Sequence, residues 1–287
     1  LMENLNIDRD DFFNKGYCVV REVISPEKVE KYKNFIKNKS YELNAPVFEG
    51  IHNFKEFWDV IANKEILNIL KKLLNNDNIK YLYSASARHE KNYDSFPYRW
   101  HRDNVCRLFG VGPDWNLKET YNVIRVAIYL SPYKKVKSGL NVIPYSHKKR
   151  FTFSNLLRIF HWRTKYSNKK FIIKLRKIIE KIIGVNIKTN SGDCVFFIAN
   201  LMHTGIPTTD QCDTRNAIFL TFGTENIHSE NFVNYWLKHR SNEGVANNIP
   251  NQNENELENF LKKNNIYISL PKEKKFIEGV SIPKSKN

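Results

Sequence analysis

The stretch Tyr98-Arg99-Trp100-His101-Arg102-Asp103-Asn104 decides how this chain is read. In an extended segment alternate side chains share a face, so His101 and Asp103 fall on one side and Arg102 on the other. An imidazole and a carboxylate on a common face are two arms of a metal site. The third arm must come from elsewhere. The apolar run Asp193-Cys194-Val195-Phe196-Phe197-Ile198 reads as a strand and leads to Met202-His203-Thr204-Gly205. Two histidines and one carboxylate form the facial ligand set that suits non-haem Fe(II) and leaves coordination positions open. Twelve residues after His203 comes Arg215, at the head of another strand-like run, Arg215-Asn216-Ala217-Ile218-Phe219-Leu220-Thr221-Phe222. A guanidinium buried there requires a carboxylate partner, which a ligand supplies.

These residues, in this order, resemble the Fe(II)- and 2-oxoglutarate-dependent oxygenases. Their surroundings resemble the phytanoyl-CoA dioxygenase family within that group. Trp100-His101-Arg102-Asp103 is similar to the family's WHQD stretch. Gly139-Leu140-Asn141-Val142-Ile143-Pro144-Tyr145-Ser146-His147-Lys148 is similar to its G-x-L-x-V-x-P-G-S-H-K stretch, with Tyr145 where the family usually has Gly. Gly192-Asp193 running on to His203 is similar to its G-D-x-x-x-F…H stretch, and Phe12 to Val20 to its N-terminal F-x-x-x-G-Y-x-V pattern. A lone His-x-Asp arises easily by chance; the ordered motifs spanning residues 98 to 222 do not.

The resemblance implies a double-stranded β-helix, a jelly-roll of cupin type, with N-terminal helices: a mainly β, α+β fold. It implies that His101, Asp103 and His203 hold Fe(II), with O2 and 2-oxoglutarate as cosubstrates. Arg215 is then the anchor for the distal carboxylate of 2-oxoglutarate, with Arg88, Thr204 and Thr221 as further contacts. Decarboxylation to succinate and CO2 accompanies oxidation of a substrate C–H bond. Related halogenases lack the carboxylate ligand, so Asp103 points to hydroxylation or another C–H oxidation. Arg99, Arg102, Asn104 and Arg125 are candidates for holding an acidic small-molecule substrate, with Arg107 and Trp115 near them. Two rival classes stay open: a non-catalytic cupin-like binding protein, and a basic protein acting at a membrane surface.

Bulk properties are compatible with this. The 287 residues are 41% hydrophobic and 13% aromatic, enough for a sizeable core in one large domain. No apolar run reaches the roughly 20 residues that span a bilayer, and the start carries no secretory pattern. The four cysteines, Cys18, Cys106, Cys194 and Cys212, lack C-x-x-C spacing and read as free thiols of a reducing, cytoplasmic setting. The net charge of +16, from 46 Lys plus Arg against 30 Asp plus Glu, attracts acidic ligands or anionic lipid. No zinc-finger or RNP-like motif supports a nucleic-acid partner. The oligomeric state is not legible.

Along the chain, Asp8 or Asp10 caps a short helix that Gly16 ends, and Tyr17–Val20 is a strand. Ser25 and Pro26 open a second helix, running to about Asn38. Residues 40–53 read as loop, Phe54 to Leu74 as one helix, and Ile79 to His89 as one strand. Tyr121–Leu130 and Gly139–Ile143 are strands around a basic loop, 131–138. Residues 149–184 form a helical, basic and apolar insertion ended by Gly184. It reads as an ordinary packing helix, a substrate lid or a membrane-surface helix. A further helix is expected over Asn231–Arg240. The domain is read as 3–240. A polar C-terminal arm, 241–287, carries one short helix from Glu254 to Lys263. His52, His147, His161, His228 and His239 read as structural.

Overall fold

The computed structural model describes residues 7–91, 100–103, 118–148, 160, 163–164, 167, 169–206, 213–233 and 254–268. Among the described residues, eleven β-strands form two sheets: β1 (Tyr17–Val20), β2 (Val47–Glu49), β3 (Lys80–Tyr81), β4 (Ser86–Glu90), β5 (Ile124–Tyr129), β6 (Leu140–Val142), β7 (Val185–Ile187), β8 (Cys194–Ile198), β9 (His203–Gly205), β10 (Arg215–Gly223) and β11 (Tyr267–Ile268). The major sheet runs β1-β8-β5-β10. Beyond β10 lie β4, with β2 on it, and β3, with β11 on it. The minor sheet is β7-β6-β9. All pairs are antiparallel except β11 on β3. This is the jelly-roll architecture.

Why the central strands read as unbroken apolar runs follows from what covers them. Ile124, Val126, Ile128, Cys194, Phe196, Ile198, Ile218, Leu220 and Phe222 face the N-terminal helices. The alternate residues Ala127, Tyr129, Val195, Phe197, Ala217 and Phe219 face the minor sheet, meeting Leu140, Val142 and Ile187. Both faces are therefore largely dry, and the strands are apolar at most positions, with Arg125 on β5 and Thr221 on β10 as buried polar exceptions.

The helices on the outer face are α1 (Arg9–Lys15), α2 (Pro26–Glu42), α3 (Trp58–Ile61) and α4 (Lys64–Leu74). Asp8 caps α1, and Gly16 ends it at φ 89°, a left-handed turn that favours glycine. Ser25 caps α2, which continues to Glu42, past the expected end. The expected single helix over 54–74 divides at Asn63, whose side chain accepts from the Glu65 and Ile66 N–H groups and so starts α4 afresh. The expected strand over 79–89 divides into β3 and β4, because Tyr83 sits at φ 56° and turns the chain. The expected loop 40–53 contributes β2, and 131–138 contains the one-turn helix Tyr133–Val136. The helix expected over 231–240 begins at residue 227; residues 234–240 lie outside the described residues.

The Gly192-Asp193 motif has a structural reason. Gly192 takes φ 89°, and a Cβ there would collide with the Ile24 carbonyl. The fully buried Asp193 carboxylate accepts from Arg21 at 2.5 Å and from the Glu22 and Asn190 N–H groups. One side chain thus ties the turn before β8 to the chain after β1. The helix Glu254–Lys263 falls where the sequence places it and packs Leu257 and Leu261, with Ile266 beyond it, into the core shared with α4. Phe260 meets the Trp58 ring at 5.3 Å. No described helix is long and apolar enough to cross a membrane.

Candidate metal centre

His203 opens β9 on the face that meets the jelly-roll interior, across from Val142. His101 bridges to it through two backbone hydrogen bonds, His101 N–H to the His203 carbonyl and the reverse, each 2.9 Å. Two residues on, the Asp103 N–H donates to the Ala199 carbonyl at 2.7 Å. The segment is therefore pinned to the chain after β8 at both ends of the His-x-Asp motif. The backbone alternation places Asp103 beside His101.

The result is a compact donor set. One ligand atom from each of His101, Asp103 and His203 lies within 4.8 Å of the others. Asp103 Oδ1 is 3.4 Å from His101 Nε2, and its Oδ2 is 3.6 Å from His203 Nε2. His203 donates from Nδ1 to the Leu201 carbonyl at 2.9 Å, which leaves the Nε2 lone pair pointing at the centre. Phe197 packs against the His203 ring at 4.8 Å. Burial lowers the His203 pKa to about 3, aided by His101 and opposed by Asp103, so the imidazole stays neutral as a ligand must. Burial alone would raise the Asp103 pKa. Arg125, then the two histidines, instead hold it well below the usual carboxylate range. The site opens on the His101 side: 32% of that side chain is accessible, against 6% for Asp103 and for His203. Two imidazoles and one carboxylate around one point fit a divalent iron.

Arg125 was expected at the substrate; the structure gives it other work. Its Nε lies 3.1 Å from Asp103 Oδ2, and its Nη1 donates to Ser84 Oγ at 2.8 Å and Thr221 Oγ1 at 2.5 Å. Thr221, expected beside the cosubstrate, is fully buried and donates onward to the Ser84 carbonyl at 2.9 Å. Both residues therefore brace the Asp103 carboxylate, Arg125 directly and Thr221 through Arg125. Arg102, the other substrate candidate, is fully buried and donates to the Asn200 carbonyl at 2.7 Å. Thr204 pairs with Asn141 on the opposite face of β9 from His203, so it points away from the centre. Arg99, Asn104, Arg107 and Trp115 lie outside the described residues.

Arg215 opens β10 on the same inward parity as Ala217, Phe219 and Thr221, and it is 2% exposed. Its Nη1 lies 3.6 Å from Oε2 of Glu90, its register partner on β4. Arg88, two residues away on that strand, donates to Glu90 Oε1 at 3.1 Å and stacks on the Phe219 ring. Burial pushes the Tyr129 hydroxyl up, with Arg215 and Arg88 pulling it back. The described residues of this pocket thus hold two guanidiniums and one carboxylate. Glu90 and Ser84 escaped the sequence reading. Glu90 shares the inward parity of Arg88, a signal that was there to be used. Ser84 carries no such mark. A separate concavity of about 370 Å³, lined by residues including Arg9, Tyr121, His147 and His228, contains none of the three metal-ligand candidates.

A two-histidine, one-carboxylate centre at the mouth of a jelly-roll defines the non-haem iron class. The chain belongs to the phytanoyl-CoA dioxygenase (PhyH) family, whose description matches residues 12–217. It is accordingly an Fe(II)- and 2-oxoglutarate-dependent enzyme that uses O2. Among solved structures it is similar in fold to HygX from Streptomyces hygroscopicus with nickel and 2-oxoglutarate bound: 16% identity, 76% of this chain, 88% of that one, TM-score 0.57. It is similar to the carbocyclase SnoK from nogalamycin biosynthesis at 14% identity, 76% and 85% coverage, TM-score 0.54. AviO1 from Streptomyces viridochromogenes gives 15% identity, 77% and 97% coverage, TM-score 0.53. No curated protein sequence matches the chain.

Proposed function

We propose that this enzyme hydroxylates an unactivated C–H bond of a small anionic molecule, converting 2-oxoglutarate to succinate and CO2. The observation that carries the reading is the intact carboxylate arm: Asp103 is present, ionised and held by Arg125. When bound, ferrous iron with 2-oxoglutarate and O2 supplies the oxidising power. His101, Asp103 and His203 would hold the metal, with Arg125 fixing the Asp103 carboxylate through Oδ2. Arg215 would receive the distal carboxylate of 2-oxoglutarate, with Arg88 and Glu90 setting its position. Phe197 and Phe219 keep water from the reacting side of the pocket.

An anionic substrate is supported by the net charge of +16. Arg99 and Asn104 remain the candidates to hold it, because Arg102 and Arg125 are engaged elsewhere. Residues 3–240 act as one catalytic domain, with the 254–268 segment docked on it. The free thiols Cys18 and Cys194 support a reducing, cytoplasmic setting.

The test is a screen of small acids and glycan precursors with Fe(II)-loaded enzyme, reading succinate and product mass. The expected result is substrate-stimulated succinate with a product that gains one oxygen atom. A product that has lost two hydrogens would replace hydroxylation with desaturation or ring closure. Failure of the iron-loaded protein to bind 2-oxoglutarate would favour the non-catalytic binding protein.

A further inference from the structure

The helix Lys170–Ile183 is anchored beside the minor sheet by one side. Ile179 and Ile183 pack there against Trp100, Met202 and Ile143. This anchored stripe leaves a second apolar stripe on the same helix. Phe171, Ile178 and Ile182 are 74%, 46% and 75% exposed. At 3.6 residues per turn they and the half-buried Leu175 fall within about 60° of one another, roughly a quarter-turn from the anchored side. Single exposed apolar residues are ordinary, but an aligned stripe of them marks an interaction surface. Lys170 and Lys174, both exposed, border the stripe on the side away from the anchor. Around the helix the order is anchored, apolar, basic.

We propose that this helix docks the enzyme on an anionic lipid bilayer. Phe171, Ile178 and Ile182 enter the boundary between headgroups and acyl chains, and Lys170 and Lys174 reach back to lipid phosphates. A groove on a protein would accept the apolar stripe alone. The bordering lysines and the chain-wide charge of +16 favour an extended surface of opposite sign. The helix has 14 residues, short of the roughly 20 that span a bilayer, so it lies on the membrane. Trp100 and Met202, the residues it packs on, are chain neighbours of His101 and His203. Docking therefore brings the metal centre close behind the lipid surface.

This inference is independent of the catalytic reading, and its test uses the full chain with or without iron. Co-sedimentation is measured with vesicles of phosphatidylcholine alone and mixed with phosphatidylglycerol. The expected result is binding to the mixed vesicles only, weakened roughly tenfold when salt shortens the screening length to a few ångströms. Phe171→Ser with Ile178→Ser and Ile182→Ser should lower binding by at least about tenfold, with melting temperature and iron stoichiometry unchanged. Should that variant melt early, Lys170→Glu with Lys174→Glu, at exposed positions, carries the test, with an expected loss of several-fold. Wild-type chain that ignores anionic vesicles overturns the proposal. So do variants that bind like wild type. A wild-type dimer that the triple change turns into a monomer, read by light scattering, would make the stripe a self-association face instead.

Discussion

Two buried arginines lie on the inward face of the same sheet, and they are held differently. Arg125 is 3.1 Å from Asp103 and is fixed further by Ser84 and Thr221. Arg215 is 3.6 Å from Glu90, a carboxylate it shares with Arg88. The first arrangement is a balanced pair braced by hydroxyls. The second places two guanidiniums around one carboxylate, and the planar fork of Arg215 matches the geometry of a carboxylate. One arginine braces the candidate metal ligand Asp103; the other is the proposed anchor of the cosubstrate.

Breaking the first pair should cost most. Arg125→Leu leaves the Asp103 carboxylate buried without its strongest partner, and the expected loss is about 3–5 kcal/mol by chemical denaturation of the metal-free protein. Breaking the second should hardly touch the fold but should damage cosubstrate use. Arg215→Lys keeps the charge and loses the fork, so the KM for 2-oxoglutarate should rise roughly ten- to a hundredfold. An unchanged KM would move the anchor to Arg88. Thr221→Val removes one acceptor from Arg125 and should cost about 1–3 kcal/mol while leaving the KM alone.

Burial lowers the His52 pKa from 6.5 to about 4, so the unfolded chain takes up its proton first. Stability should therefore fall as pH drops from about 6.5 to 4, by roughly 3 kcal/mol for this group. Asp103 is depressed, so its contribution is present above the ordinary carboxylate value and is lost only as pH falls below it. His52→Gln should remove about that share of the loss, with His147, lowered to about 4, and His203, lowered to about 3, contributing the rest of the same fall. The smallest effect is expected at Tyr145, which holds φ 65°. Tyr145→Gly should stabilise by about 0.5–1 kcal/mol.

That position shows what the sequence carries well. The family's usual glycine marks a left-handed turn, and the departure at Tyr145 leaves the turn in place at a cost in strain. The candidate metal cluster is legible in part because alternation along an extended segment puts His101 and Asp103 on one side. Thr204 misled because one step along β9 reverses the face. Thr221 had the right parity, but its hydroxyl is used by Arg125, a contact between strands far apart in the chain. The same holds for Arg125 itself, whose partner depends on how β5 meets the His101–Asp103 segment. The expected single helix over 54–74 failed on a cap, Asn63, that apolar periodicity does not register.

The central claim is that His101, Asp103 and His203 bind one iron and that 2-oxoglutarate then binds through Arg215. The direct measurement is anaerobic titration calorimetry of Fe(II), followed by 2-oxoglutarate, into wild type, His101→Ala/His203→Ala and Arg215→Ala. The account predicts one Fe(II) per wild-type chain, with metal-dependent 2-oxoglutarate binding. It predicts no iron in the double variant, and full iron with weakened 2-oxoglutarate in Arg215→Ala. Stoichiometric iron retained by the double variant would contradict it.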